Sequence, residues 1–422
     1  MLKRFLAITA AVALGYLLAH LAGSRLGAPT WWPDRDRDRS VRYFRDVVQL
    51  VHEDYVDESK SKYDDLTRTA LEGMVNQLDP HSEFLDAEEF ADIEDELKNE
   101  ISGIGIQVEQ RSGRIVVITP IAGTPAERAG IRRGDRLLKV DGKALENMTL
   151  DKTVKLLRGD PGSTVTVTME RPPQSQPLDF ALKRERIRLD SVRNPALLPG
   201  GIGYLQVTQF SERTGEEFTR TLAGLERQDL RALILDLRNN PGGLLEAAIE
   251  VCDSFFDRGQ LIVYTQGRAP DSRENYYSDG MHPRRSYPVA VLVNGGTASA
   301  AEIVAGALKD TQRAVVVGEL TFGKGSVQSV IELQKGEGLR LTTARYYTPS
   351  GITIHEHGIA PQIEIAISPD DEAKLRLQQS RTDLLAPAEF ADRFGFQPIT
   401  DRQLQAACEV LAGVLALGEG QP

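Results

Sequence analysis

The chain has 422 residues, 41% hydrophobic and 26% charged, enough for two or three folded units and too apolar for large-scale disorder. Its 50 basic and 61 acidic residues leave a net charge of −11 with no dense Lys/Arg run, which excludes a nucleic-acid backbone as the main partner. The two cysteines, Cys252 and Cys408, stand on apolar helical faces outside any CxxC or Cys/His spacing. They read as small core residues, and neither a metal site nor a cofactor is expected.

Met1-Leu2-Lys3-Arg4 precede an uncharged apolar stretch at residues 5–22, which reads as an export or anchoring signal. Its 18 residues exceed a usual signal-peptide core and just meet the bilayer-spanning length, so a signal peptide and a membrane anchor over 1–23 both fit. His20 spoils a small-x-small cleavage site ending at Ala22, which tips the reading toward an uncleaved anchor. The basic end stays inside, so the folded part is expected outside the cytoplasm, in the periplasm or on the outer face of the inner membrane. Residues 24–40 read as a polar linker. Apolar positions then recur at the helical period, at Val41, Phe44, Val47 and Val51 and again at Leu66, Ala70 and Met74. They predict two amphipathic helices in a region at 41–99, whose apolar faces fit pairing between subunits as well as packing within one. Pro80 marks a turn, where His81 is read as structural.

Over residues 100–186 the pattern changes to short alternating strands with Gly turns. Ser102-Gly103-Ile104-Gly105-Ile106-Gln107-Val108 predicts a strand entered through a Gly-rich loop, and residues 124–130 and 150–158 predict helices. With the run from Thr124 to Leu145, this segment resembles a PDZ domain. The resemblance implies that a peptide tail adds as a strand beside Ile104, Ile106 and Val108 while loop N–H groups at Gly103 and Gly105 take its carboxylate.

From Gly203 strands and helices alternate, implying a layered α/β core at 187–370. Strands are predicted at 204–207, 232–237, 261–265, 289–293 and 314–317, and helices at 214–227, 244–256 and 300–308. Residues 268–286 read as a polar excursion. The tail at 371–422 reads as helical, with Leu404, Ala407, Cys408, Leu411 and Leu415 on one face.

The chemistry concentrates between Val291 and Gln328. Ser299 stands at the bend between a predicted strand and helix, and Lys324 lies in a Gly-flanked loop. A serine nucleophile needs a base and oxyanion donors. No histidine lies in either stretch, whereas a lysine kept neutral by burial serves as base, and Gln328 stands four residues on to orient the amine. Unobstructed backbone N–H groups are expected from Gly242 or Gly243 and from Ala300 at a helix start.

Together GMVNQLDPHSEF, the PDZ-like module, DLRNNPGGLL, LVNGGTASAAEIVAGAL, GELTFGKGSVQ and LTTARYYTPSGITI are similar, in order and spacing, to the carboxyl-terminal processing (tail-specific) proteases. In that family the nucleophile is followed 25 positions later by a lysine and four beyond by a glutamine, which carries over to Ser299, Lys324 and Gln328. Thr297 departs from the family's usual serine. The resemblance implies a crotonase/Clp-like layered α/β protease core with an inserted PDZ domain and helical ends. It also implies a serine endopeptidase acting on proteins or peptides with exposed apolar C-termini, without a cofactor and in a homo-oligomer or with an adaptor protein. A non-catalytic PDZ scaffold on a protease-like core and a crotonase-type acyl-CoA enzyme are the competing readings.

Overall fold

The computed structural model describes residues 35–419 apart from 112, 147, 175, 283, 284 and 382–385. The apolar stretch at 5–22 lies outside the described residues, among which no helix is long and apolar enough to cross a membrane. The chain forms two compact units, Met1–Pro80 and His81–Pro422.

In the first unit, helices Arg35–Asp54 and Tyr63–Asn76 are joined by a short helical turn at Glu58–Lys60. The first helix begins inside the stretch read as a linker. Its Asp/Arg alternation tolerates helix because charges three residues apart meet on one face, as Arg39 and Asp36 do at 2.5 Å. His52 stacks on Tyr63 at 4.1 Å between ring centres, and its Nδ1 lies 2.7 Å from the Ser61 carbonyl. The stripe at Val41, Phe44, Val47 and Val51 remains exposed within this unit.

The second unit is built on a six-stranded sheet. Its strands are β1 (Val192–Leu198), β2 (Ile202–Val207), β3 (Ala232–Asp236), β4 (Val289–Val293), β5 (Ala314–Gly318) and β6 (Ile363–Glu364), adjacent in that order. β1 and β2 form an antiparallel hairpin, and every later pairing is parallel. Helices α1 (Thr214–Glu226), α2 (Leu245–Asp253) and α3 (Ala300–Asp310) cover one face. Helix α4 (Arg402–Glu419) covers the other. Successive strand residues point to opposite faces. Leu233 and Leu235 therefore pack with α1 to α3, while Ala232 and Ile234 pack with Ala407 and Leu411 of α4. Burial on both sides is why these strands read as unbroken apolar runs. The apolar face of α4 thus packs within the subunit, where burial of a residue such as Leu411 contributes about 1.5–3 kcal/mol.

A second, five-stranded sheet was not foreseen. Gly338–Tyr347 runs through it between Glu83–Leu85 and Leu261–Gly267, and Arg273–Tyr277 and Ser326–Glu332 complete it. The polar excursion at 268–286 is therefore partly a hairpin strand, whose outward residues concealed the pairing. Ser82 lies at the start of this unit, where its Oγ accepts the Thr342 N–H at 3.1 Å.

The PDZ-like segment folds around its own core, including Ile104, Val117, Val140, Val165 and Met169. A two-stranded antiparallel ribbon, Glu100–Gly103 with Glu185–Arg188, carries the chain in and out. Beyond Phe394, α4 is anchored by a buried charge cluster. Arg238 donates to Asp236 at 2.6 Å and to Asp401 at 2.8 Å, and Tyr204 donates to Asp236 at 2.8 Å. Burial opposes the charge on Arg238, but the two carboxylates more than offset it and hold its pKa well above the usual value. Stripping one partner from such a cluster costs about 3–5 kcal/mol, because a buried charge is left uncompensated.

Candidate active site

Three segments leave the carboxyl ends of adjacent parallel strands. Residues 237–243 follow β3, residues 294–299 follow β4, and residues 319–325 follow β5. Ligand sites form at this edge of an open parallel sheet. Here the segments are stitched together. Thr297 Oγ1 donates to the Leu237 carbonyl at 2.9 Å, and Asn294 Oδ1 accepts the Asn239 N–H at 2.8 Å. The Ala298 N–H donates to the Asn240 carbonyl at 2.9 Å, and the Phe322 N–H to the Thr297 carbonyl at 3.0 Å. Thr297 uses only its hydroxyl in this bond, a group that a serine would also supply.

Ser299 is the N-cap of α3 with φ 54° and ψ −118°, a conformation L-residues avoid. Such strain persists only where the surroundings over-determine it, and it clusters at functional sites. Gly242 is one of those surroundings. A Cβ on it would lie 2.7 Å from the Ser299 Cβ, so only glycine lets the two loops touch.

Glu302, buried in α3, joins the serine to the lysine loop. Its Oε2 accepts the N–H groups of Ser299 and Lys324, each at 2.9 Å. Its Oε1 accepts the Gly323 N–H at 2.8 Å and the Thr321 hydroxyl at 2.5 Å. Burial raises its pKa, and these four donors oppose the rise without cancelling it. Sequence reasoning passed over this residue. Its signal was legible as a capping box, because Glu302 stands three residues after Ser299.

Ser299, Lys324, Gln328, Gly242 and Gly243 line one cleft of about 700 Å³. Leu244, Tyr276 and Tyr346 give it apolar and aromatic wall surface, and Ile93 and Leu97 add to it from helix Ala87–Lys98. Gln328 lies on the strand Ser326–Glu332, not in the loop. Its Nε2 donates to Ser326 Oγ at 2.8 Å and to Thr342 Oγ1 at 3.3 Å.

The two glycines differ in what their N–H groups can do. The Gly242 N–H donates to Asn240 Oδ1 at 2.9 Å, and the residue packs as a spacer against Ser299, which favours Gly243 of the two expected glycines. Gly243 makes a parallel bridge to Phe210, flanked by Phe210 N–H to Gly242 carbonyl (2.8 Å) and Leu244 N–H to Phe210 carbonyl (2.7 Å). Alternation along an extended chain turns the Gly243 N–H away from Phe210. Ala300 opens α3, where N–H groups lack intrahelical partners. A Cβ on Gly243 would sit 2.0 Å from the Phe210 carbonyl oxygen at a φ of 133°. Gly243→Ala is therefore expected to displace the loop and lower kcat about 100-fold or more, a loss typical of removing one oxyanion donor. Steady-state kinetics beside a melting curve checks it.

In the PDZ-like segment Ile106–Arg111 is an edge strand, paired only with Arg114–Pro120 among the described residues. The strand starts later than predicted. Gly103 is drawn into the entry ribbon opposite Glu185, and the Ile104 side chain, 1% exposed, fills the core. Gly105 takes φ 80° against Thr124, where a Cβ would fall 2.3 Å away. Ile106 and Val108 stay half-buried beside helix Leu150–Leu157, leaving an open strand edge next to that helix.

Residues 201–365 match Peptidase family S41, and residues 116–171 match a PDZ domain. The chain is 40% identical to the carboxy-terminal-processing protease of Bartonella bacilliformis, over 78% of this chain and 75% of that protein. It is 37% identical to the carboxy-terminal processing protease CtpA of Bacillus subtilis, over 78% of this chain and 69% of that one. A crystal structure from Bacteroides fragilis, provisionally assigned as an S41 protease, shares the fold at 18% identity with a TM-score of 0.50, covering 92% of this chain and 99% of its own. These similarities do not favour the scaffold reading. The layered α/β core, the PDZ module and the match along most of its length place this chain in peptidase family S41, as a serine-type peptidase of the carboxy-terminal-processing group.

Proposed function

We propose that this peptidase is an exported endopeptidase that docks exposed C-terminal tails in its PDZ groove and cleaves through an acyl-enzyme on Ser299. The observation that carries the reading is the joint placement of Ser299 and Lys324 in one cleft, their backbones held by the same buried carboxylate. In this scheme the neutral amine of Lys324 takes the hydroxyl proton as Ser299 Oγ attacks the peptide carbonyl carbon. The Gly243 and Ala300 N–H groups receive the oxyanion. The protonated Lys324 then gives its proton to the leaving amine, and water releases the acyl group by the reverse sequence. Gln328 spends its Nε2 on Ser326 and Thr342, so its carbonyl is the end available to orient Lys324. The open edge of Ile106–Arg111 supports strand addition by a tail. The apolar stretch at 5–22 supports export to an extracytoplasmic site.

The test is digestion of an unfolded protein whose tail ends in apolar residues. Ser299→Ala is expected to lower kcat/KM about 10⁴-fold or more, with no acyl-enzyme detectable by mass spectrometry. Cleavage that persists in this variant would sink the proposal.

A further inference from the structure

The C-terminal region has two charge clusters of opposite design. At one end Glu109, on the edge strand Ile106–Arg111 of the PDZ domain, sits between two guanidinium groups. Arg381 donates to its Oε2 at 2.8 Å, and Arg393 donates to its Oε1. The Arg381 side chain is 2% exposed and Glu109 19%, so solvent screens this contact weakly. At the other end Arg238 sits between Asp236 and Asp401, at the foot of the loop that carries Gly243.

One helix joins the two. Arg381 is the C-cap of Pro369–Ser380. Gln378 of that helix accepts the Ile399 N–H at 3.0 Å and donates to the Ile399 carbonyl at 3.3 Å. Gln379 donates to Asp401 at 3.5 Å. Earlier turns reach the site loops directly. Glu372 accepts from Asn294 Nδ2 at 3.1 Å, and Arg376 donates to Asn239 Oδ1 at 3.1 Å. From Arg238 the chain runs to Asn240, whose side chain holds the Gly242 N–H and whose carbonyl holds the Ala298 N–H.

We propose that helix Pro369–Ser380 is a strut by which Glu109 in the PDZ peptide-binding strand sets the position of the Gly243 and Ser299 loops. Glu109, Arg381 and Asp401 are then positioning residues for peptide hydrolysis. The inference rests on the proteolytic reading above, but it needs neither a bound tail nor a movement of the PDZ domain. Its force comes from the charge clusters. A buried charge deprived of one partner must find another or draw in water, so the ends of the helix hold discrete positions and do not drift.

The deciding experiment uses the full chain and a short reporter peptide with an amidated C-terminus, which offers the PDZ groove no carboxylate. Glu109→Gln is expected to lower kcat about tenfold with KM within twofold, in the range that coupled networks transmit. Backbone amides at 239–245 should exchange faster with deuterium in the same variant. Asp401→Asn should act alike, and the double variant should be no slower than the slower single one. Unchanged kcat and exchange in Glu109→Gln, or effects that multiply in the double variant, would overturn the strut. The exchange arm does not depend on turnover. A parent protein without hydrolytic activity would therefore overturn the Ser–Lys reading, while exchange alone still decided the strut. Should Glu109→Gln fail to fold, Arg393→Gln, which keeps the Arg381 pair, is subject to the same criteria.

Discussion

Lys324→Arg is expected to abolish peptide hydrolysis, lowering kcat by about 10⁴-fold or more, even though it preserves the positive charge. The proposed chemistry requires a group that gives up its proton and accepts another, and a guanidinium does not do so in proteins. Lys324→Ala should be equally inactive. A cationic lysine serving only to stabilise negative charge predicts the opposite order, with arginine retaining much of the rate. The two variants compared on one peptide therefore separate a base from an electrostatic anchor.

Glu302→Gln is expected to lower kcat by roughly 10²- to 10³-fold while leaving KM within a few-fold. The substitution keeps size and burial but replaces an acceptor oxygen with an NH₂ group. Either the Ser299 and Lys324 N–H groups at Oε2, or the Gly323 N–H and Thr321 hydroxyl at Oε1, then lose their acceptor. An unsatisfied buried donor costs about 1–3 kcal/mol, enough to shift a strained turn. Misplacing the reacting groups by about 1 Å has consequences of this order for rate. Because burial raises the Glu302 pKa, its protonated form gains population at higher pH than an ordinary glutamic acid would, and the donors on the protonated oxygen then lose an acceptor. Acid should therefore weaken the joint in the parent and have less effect in the Gln variant. Acylation of Ser299 by a small serine-reactive probe, followed against pH in both proteins, checks magnitude and sign. Equal acylation rates would show that Glu302 is merely structural.

The local elements were legible because each carries its own signal. Apolar runs at 232–237, 289–293 and 314–317 mark strands buried on both faces, observed at 232–236, 289–293 and 314–318, and their ends locate all three site loops. The candidate residues Ser299, Lys324 and Gln328 were legible too, from glycine and small-residue punctuation and from fixed spacing along a familiar pattern. The second sheet was not, since its strands mix exposed and buried positions and come from sequence segments as far apart as Glu83 and Gly338. Nor was the helical start at Arg35, where alternating charges hid the period.

What the sequence by itself determined is the set of elements, the layered class and the residue types present at the loop ends, because these follow from short-range periodicity and backbone preference. What only the tertiary structure decided is which backbone groups remain available and which are already engaged. Gly242 and Gly243 are indistinguishable in sequence, yet one N–H is held by Asn240 and the other is turned from Phe210 by a bridge. The same holds for Glu302, placed under two loops at once, and for Glu109, held by arginines 272 and 284 positions away. Hydrogen bonds and buried charges across such distances depend on where folding brings the segments, and no local pattern encodes that.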